Sequence, residues 1–289
     1  MTQYLGAGDK KGMKQTFCFK LLVACVAIGI YMYICMGIPR EILSLMVRGN
    51  SQADLILDQA VSYMTLMGLV GVPMVVSTII ASSLREIGMV KEPLYISVVA
   101  TCVNTVLNWV LIYGNLGAPR LEVRGAAWAT IIARIVEMIM FIILMVKKRP
   151  PFTIDIATLK SIDFSLFVRI LRKGSLVIFS EMLWVVSETI TTALYNSRGG
   201  ADVVSGMASS FAIANLYFVA FSGITTATSV IIGQSLGRGE LELAKKQKNW
   251  MLSAAVVFGV FMTLAGALTV LLVPVVFKNL SIEAQTNGR

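Results

Sequence analysis

Apolar residues run along this chain in long stretches whose length matches a lipid bilayer. A membrane-crossing helix needs about 20 mostly apolar residues. Seven stretches meet that demand: 21–38, 59–84, 93–114, 125–146, 174–197, a stretch at 207–233 and 250–277. Most of the segments between them are short and polar. The exception runs from Lys147 to Lys173 and opens on Pro150 and Pro151. Its second half, 163–173, alternates apolar and basic residues in the way of an amphipathic helix lying on a membrane surface. The pattern predicts an all-α polytopic membrane protein in three parts. Residues 1–147 hold four spans, 148–173 form a cytoplasmic linker with that amphipathic helix, and 174–289 hold three spans.

Composition sharpens this reading. Of the 289 residues, 56% are hydrophobic and 14% charged, where a soluble domain carries about 25% charged residues. A soluble enzyme, a disordered tail and a nucleic-acid-binding domain are thereby excluded. Histidine is absent, which removes Ser-His-Asp catalysis and His-based metal sites. The cysteines Cys18, Cys25, Cys35 and Cys102 follow no metal-binding spacing and read as small hydrophobes. No metal, no organic cofactor and no enzymatic activity are expected.

The net charge of +9 comes from 25 Lys and Arg against 16 Asp and Glu. Cytoplasmic loops concentrate Lys and Arg. With the N-terminus inside, 17 of the 25 fall on cytoplasmic segments and seven on outer ones, with Arg134 in the membrane. A cytoplasmic N-terminus in an inner or plasma membrane is the expectation.

A short motif occurs twice. Gln3-Tyr4-Leu5-Gly6-Ala7-Gly8-Asp9 returns as Gln234-Ser235-Leu236-Gly237-Arg238-Gly239-Glu240, an offset of 231 residues. Lysines follow each copy, then an apolar span, then a proline (Pro39, Pro274). The glycines suit a helix end followed by a tight turn, because Gly takes positive φ at little cost. The motif reads as architecture, and parallel repeats are common in transporters. The fifth and sixth spans lead into the second copy and none into the first, while four spans follow the motif in the first half and one in the second. Equivalent halves would therefore place two further spans before Met1 and three after Arg289, twelve in all.

Four ionisable residues lie within spans, where such groups are expensive and usually functional. Arg134 and Glu137 stand three apart and can pair on one helix face. Glu181 and Glu188 stand seven apart, about 10 Å along a helix axis. No basic residue on their span can pair with them, and Trp184, Thr191, Thr192 and Tyr195 extend their stripe. A cavity-lining carboxylate can exchange a proton, or hold Na+ or an organic cation. The alternative is pairing with a basic group on another helix. On the third span, Ser97, Thr101, Asn104 and Asn108 share a face, suited either to interhelical hydrogen bonds or to lining a cavity.

These motifs in this order resemble the MATE (multidrug and toxic compound extrusion) family of the MOP flippase superfamily. The resemblance rests on 82–88 (Ser-Ser-Leu-Arg-Glu-Ile-Gly), including Arg85 and Gly88, with Lys91 and Pro93. It rests also on Asn104 and Asn108, on Gly117-Ala118-Pro119 with 123–130, and on 233–239 with Gln234, Gly237 and Gly239. It implies a two-lobed, twelve-helix architecture, of which this chain would supply the end of the second helix through the ninth. Arg124 departs from a position that is often Gly, and Leu176 from a common proline.

The resemblance implies a secondary antiporter, driven by H+ or Na+, that exports drugs or toxic compounds. Expected partners are small organic, cationic or amphipathic substrates and the bilayer, with no nucleic acid and a monomeric state. Many family members place an acid on the helix of Glu181. The alternatives are a flippase for lipid-linked precursors, for which Arg134 is the one cation within the spans, or an inactive fragment of the transporter. A seven-span receptor or intramembrane enzyme agrees less well with the repeat and the missing histidine.

Overall fold

In a computed structural model, residues 1–46, 53–155, 158, 162–198 and 201–276 are described. Every regular element among them is helical. Among the described residues six helices are long and apolar enough to cross a membrane, and a bent helix pair meets the same test when taken together, for up to seven spans. The chain divides into two units. The first holds Gln3–Leu45 and the described residues on to Phe179, and the second begins at Ser180.

The first unit opens with α1 (Thr2–Gly6) and α2 (Lys10–Met32). Asp9 caps α2 by accepting a hydrogen bond from the Gly12 N–H at 2.9 Å, which satisfies one orphan donor of the first turn. The last turn of α2 widens into a π-helix at Tyr33–Gly37. Pro39 then starts α3 (Pro39–Met46), at a position where its missing N–H costs nothing.

The span expected at 59–84 is not continuous. It is α4 (Ala53–Gly68) and α5 (Gly71–Glu86), bent by 50° between Leu57–Gly68 and Gly71–Glu86. Pro73 is the cause on the α5 side: it has no N–H for the Leu69 carbonyl, and its ring would clash with that carbonyl in a straight helix. At the break, the Leu69 and Val70 N–H groups turn back to Leu66 and Met67 at 3.1 and 3.0 Å. Gly71 lets the Tyr31 ring seat against the bend, since a Cβ there would lie 2.6 Å from it. The Tyr31 hydroxyl donates to the Met67 carbonyl at 3.1 Å.

Helix α6 (Lys91–Tyr113) packs along α7 (Glu122–Lys148). Gly125, Ala129 and Ala133 recur every fourth residue on α7, and all are buried. Small residues at that spacing let two helix backbones approach closely. A Cβ on Gly125 would sit 2.5 Å from the Leu111 carbonyl oxygen of α6, and backbone cannot move aside as a side chain can. Gly125→Ala is therefore expected to destabilise the protein by about 1–3 kcal/mol, read as a lower melting temperature in detergent.

Helix α7 stops at Arg149, whose φ of +42 is left-handed. Pro150 disfavours the α conformation in the residue before it, which explains the stop. The segment after it does not simply cross open space. Phe152 is fully buried, with its ring 4.8 Å from that of Phe17, in a cluster with Met13, Leu84 and Phe141. Residues 156–157 and 159–161 of the expected linker lie outside the described residues.

The separate surface helix expected at 163–173 is instead the start of a long one. Helix α8 runs unbroken over Phe164–Arg198, capped by Asp163, which accepts from the Ser165 and Leu166 N–H groups at 3.0 and 3.2 Å. No proline or positive-φ residue interrupts it, so the basic first turns and the apolar span belong to one continuous helix. In the second unit, α9 (Ala201–Gly237) packs on α10 (Leu241–Val276), with Phe221 and Phe258 edge to face at 5.5 Å. Phe277, the expected end of the last span, lies outside the described residues.

Candidate functional site

The two Gly-rich motifs close helices in the same way. Gly8 and Gly239 have φ of +69 and +78. Gly8 N–H bonds to the Leu5 carbonyl and Asp9 N–H to Tyr4, at 3.1 and 2.9 Å. At the second copy, Gly239 N–H bonds to Leu236 and Glu240 N–H to Ser235, at 3.1 and 3.0 Å. Gln3 and Gln234 each accept, on their carbonyls, the N–H four residues on. This is the Schellman arrangement, and the 231-residue offset holds for every one of these bonds. Gly6 and Gly237 are the last residues of their helices. The same closure recurs at Gly88, with φ of +86, where Gly88 and Met89 donate to Arg85 and Leu84, both at 3.0 Å. Pro93, buried in the first turn of α6, sits where helix N–H groups have no intrahelical partner.

The cavity with the most concentrated chemistry lies between α6 and α7. It has a volume of about 320 Å³ and is lined by Ser97, Thr101, Asn104, Thr130, Arg134 and Glu137, with Ala100 and Ala133 as its apolar floor. Arg134 is the thirteenth of the 27 residues of α7, so the cavity lies at mid-span. Its NH1 donates to Glu137 Oε2 at 2.7 Å. Ser97 donates to Glu137 Oε1 at 3.3 Å. Asn104 donates to the Thr130 hydroxyl at 3.5 Å, and Asn108 to Asn104 Oδ1 at 3.1 Å. The Asn108 side-chain carbonyl is buried and has no partner among the described residues.

Burial of the ion pair is lopsided. The side chain of Glu137 is 6% exposed and that of Arg134 is 42% exposed. An arginine at the centre of a span costs about 2.5–3.5 kcal/mol on insertion scales. Arg134 therefore belongs against water or protein, not lipid. The expected Arg134–Glu137 pair is present, and the expected polar face of α6 lies against it. What the spacing did not reveal is that one is the wall of the other. The available signal was the four-residue recurrence Gly125, Ala129, Ala133, Glu137, which puts the acid on the face that meets α6.

The acids of α8 are placed differently. Glu181 is exposed, Glu188 half-buried, and neither has a hydrogen-bond or ion-pair partner among the described residues. Trp184 stands edge-on to Phe218 of α9 at 6.3 Å. Thr191 is half-buried, and Tyr195 is exposed. All five belong to the second unit, and Asn104 and Asn108 to the first.

At the end of the first unit where the lysines cluster, side-chain bonds tie helices together. Lys20 of α2 reaches Glu86 at 2.6 Å and Ser83 at 3.2 Å on α5. Lys148 of α7 reaches Glu92 of α6 at 2.6 Å, and Lys14 pairs with Asp155.

Six membrane-length helices and a bent helix pair among the described residues, with a charged mid-span cavity, define a multi-pass α-helical membrane protein. Residues 1–110 and 177–279 match the model of the MatE family, and the chain belongs to that family. Over 166 residues it is 28% identical to the probable multidrug resistance protein YoeA of Bacillus subtilis, covering 56% of this chain and 35% of that protein. It is 25% identical over 177 residues to the probable multidrug resistance protein NorM of Geobacillus kaustophilus, covering 61% and 38%. The uncharacterized transporter YisQ of Bacillus subtilis matches 91% of this chain and 58% of its own length at 24% identity. The chain thus spans between about a third and three-fifths of the length of these relatives.

Proposed function

We propose that this chain acts in a secondary transporter that exports drugs or toxic organic compounds across the cytoplasmic membrane in exchange for a cation, H+ or Na+. The observation that carries the reading is membership of the MatE family, together with relatives named as multidrug resistance proteins. The stripe on α8 supplies the chemistry. Glu181 and Glu188 are carboxylates without partners among the described residues, beside Trp184, Thr191 and Tyr195. A cation and a cationic or amphipathic substrate compete there for one negative charge, and such differential binding is what coupling needs. Substrates are small organic molecules, the transporter acts as a monomer without an organic cofactor, and its work is transport, not catalysis.

The test is efflux. The full-length protein, expressed in bacteria stripped of their own exporters, should lower intracellular ethidium. That export should stop when an ionophore collapses the H+ or the Na+ gradient, whichever drives it. Ethidium retention equal to that of empty-vector cells would refute the reading.

We place the N-terminus and both Gly-rich loops in the cytoplasm, on the strength of the lysines that follow them. Ser235 is fully buried and makes a poor labelling site, whereas the Arg238 side chain is half-exposed. A cysteine introduced by Arg238→Cys should resist an impermeant maleimide in intact cells and react once the cells are opened. Labelling in intact cells would reverse the orientation.

A further inference from the structure

The cavity between α6 and α7 is not used by the reading above, whose acids lie on α8. We propose that it is a binding site for the carboxylate of a small organic anion, held by Arg134.

The argument begins with what is free. Arg134 is permanently charged and carries five N–H donors in a planar fork. One nitrogen is engaged by Glu137, and 42% of the side chain is open. The fork matches a carboxylate in bidentate fashion, which a point charge does not. Thr101 and Thr130 bring hydroxyls to the same cavity, and Asn104 an amide. These neutral groups suit the rest of a polar ligand. At about 320 Å³ the space lies at the lower end of ligand pockets, which run from about 300 to 1,000 Å³. A single-ring carboxylate is of that size.

A cationic ligand fits poorly. Both oxygens of Glu137 are already engaged, Oε2 by Arg134 and Oε1 by Ser97. A cation entering the cavity would meet a guanidinium and no free carboxylate.

Glu137 faces Arg134 on its own helix and Ser97 on α6. The other helices packed on α7, α4 and α5, bring no charged group within ion-pair distance of it among the described residues. Glu137 engages one nitrogen of Arg134, so the anion takes the donors of the fork that the ion pair leaves free.

Calorimetry on the purified full-length protein tests this with three ring-sized probes: benzoate, benzamide and benzylamine. Benzoate should bind, while the neutral and cationic analogues should not. Arg134→Lys keeps the ion pair, and so the fold, but loses the fork; benzoate affinity should fall about tenfold or more. Glu137→Gln removes the negative charge beside Arg134 and should bind benzoate at least as tightly. Failure of benzoate to bind, binding of benzylamine in its place, affinity unchanged by Arg134→Lys, or weaker binding in Glu137→Gln would each overturn the proposal. Binding is read directly, so the outcome is independent of whether the protein exports drugs.

Discussion

Glu181→Gln is expected to abolish cation-coupled export in the full-length protein while leaving it folded. The argument is electrostatic. Gln keeps the size and hydrogen-bonding capacity of Glu but can neither release a proton nor carry charge. If cation and substrate compete for the Glu181 carboxylate, removing the charge removes the competition that drives turnover. Were Glu181 half of a buried ion pair, the same change would act through stability, at about 3–5 kcal/mol for a pair broken on one side. No such partner stands beside it among the described residues, and its side chain is exposed. Surface substitutions away from such features usually stay within about 0.5 kcal/mol. Ethidium efflux and the melting temperature should therefore separate, the first lost and the second unchanged. Undiminished efflux from Glu181→Gln would sink the coupling role. Glu188→Gln, about two helical turns further along the same stripe, should give a smaller loss.

The second large effect is on stability and is asymmetric. Arg134→Gln should destabilise the protein by about 3 kcal/mol, near the low end for breaking a buried pair, because Arg134 itself is partly open to solvent. The cost arises at Glu137, which stays 6% exposed without its cation. Glu137→Gln should cost about 1 kcal/mol, the scale of a net hydrogen bond. Its amide oxygen can still accept from Arg134 or Ser97, and the arginine left behind is half in the open. Thermal unfolding of the two variants in detergent should thus rank Arg134→Gln well below Glu137→Gln. The reverse order would mean that the arginine is the more deeply held partner.

Much of the architecture was legible along the chain. Apolar length marked the six membrane-length helices and the bent pair among the described residues, because a bilayer demands a nearly fixed helix length regardless of what packs around it. The repeat at Gln3 and Gln234 forecast two matching helix ends, because a positive-φ glycine is a local requirement. Two further local signals stand in the sequence. Pro73 between Gly71 and the rest of its span marks the 50° bend. The lack of any breaker between Phe164 and Gly174 explains why the basic segment continues into α8 instead of lying on the surface.

The sequence by itself determined what depends on one segment at a time: helical class, span positions, turn glycines, and the Arg134–Glu137 pair, whose members are three residues apart on one helix. Only the tertiary structure decided that Ser97 and Asn104 of α6 line the same cavity as Thr130, Arg134 and Glu137 of α7. It also decided that Glu137 is buried while Arg134 opens to the cavity, and that Phe152 is drawn into the core of the first unit. The reason is that periodicity assigns a residue to a face of its helix. Which face meets which neighbour is set by backbone approach, here the row of Gly125, Ala129 and Ala133 against α6, and that choice is made between segments.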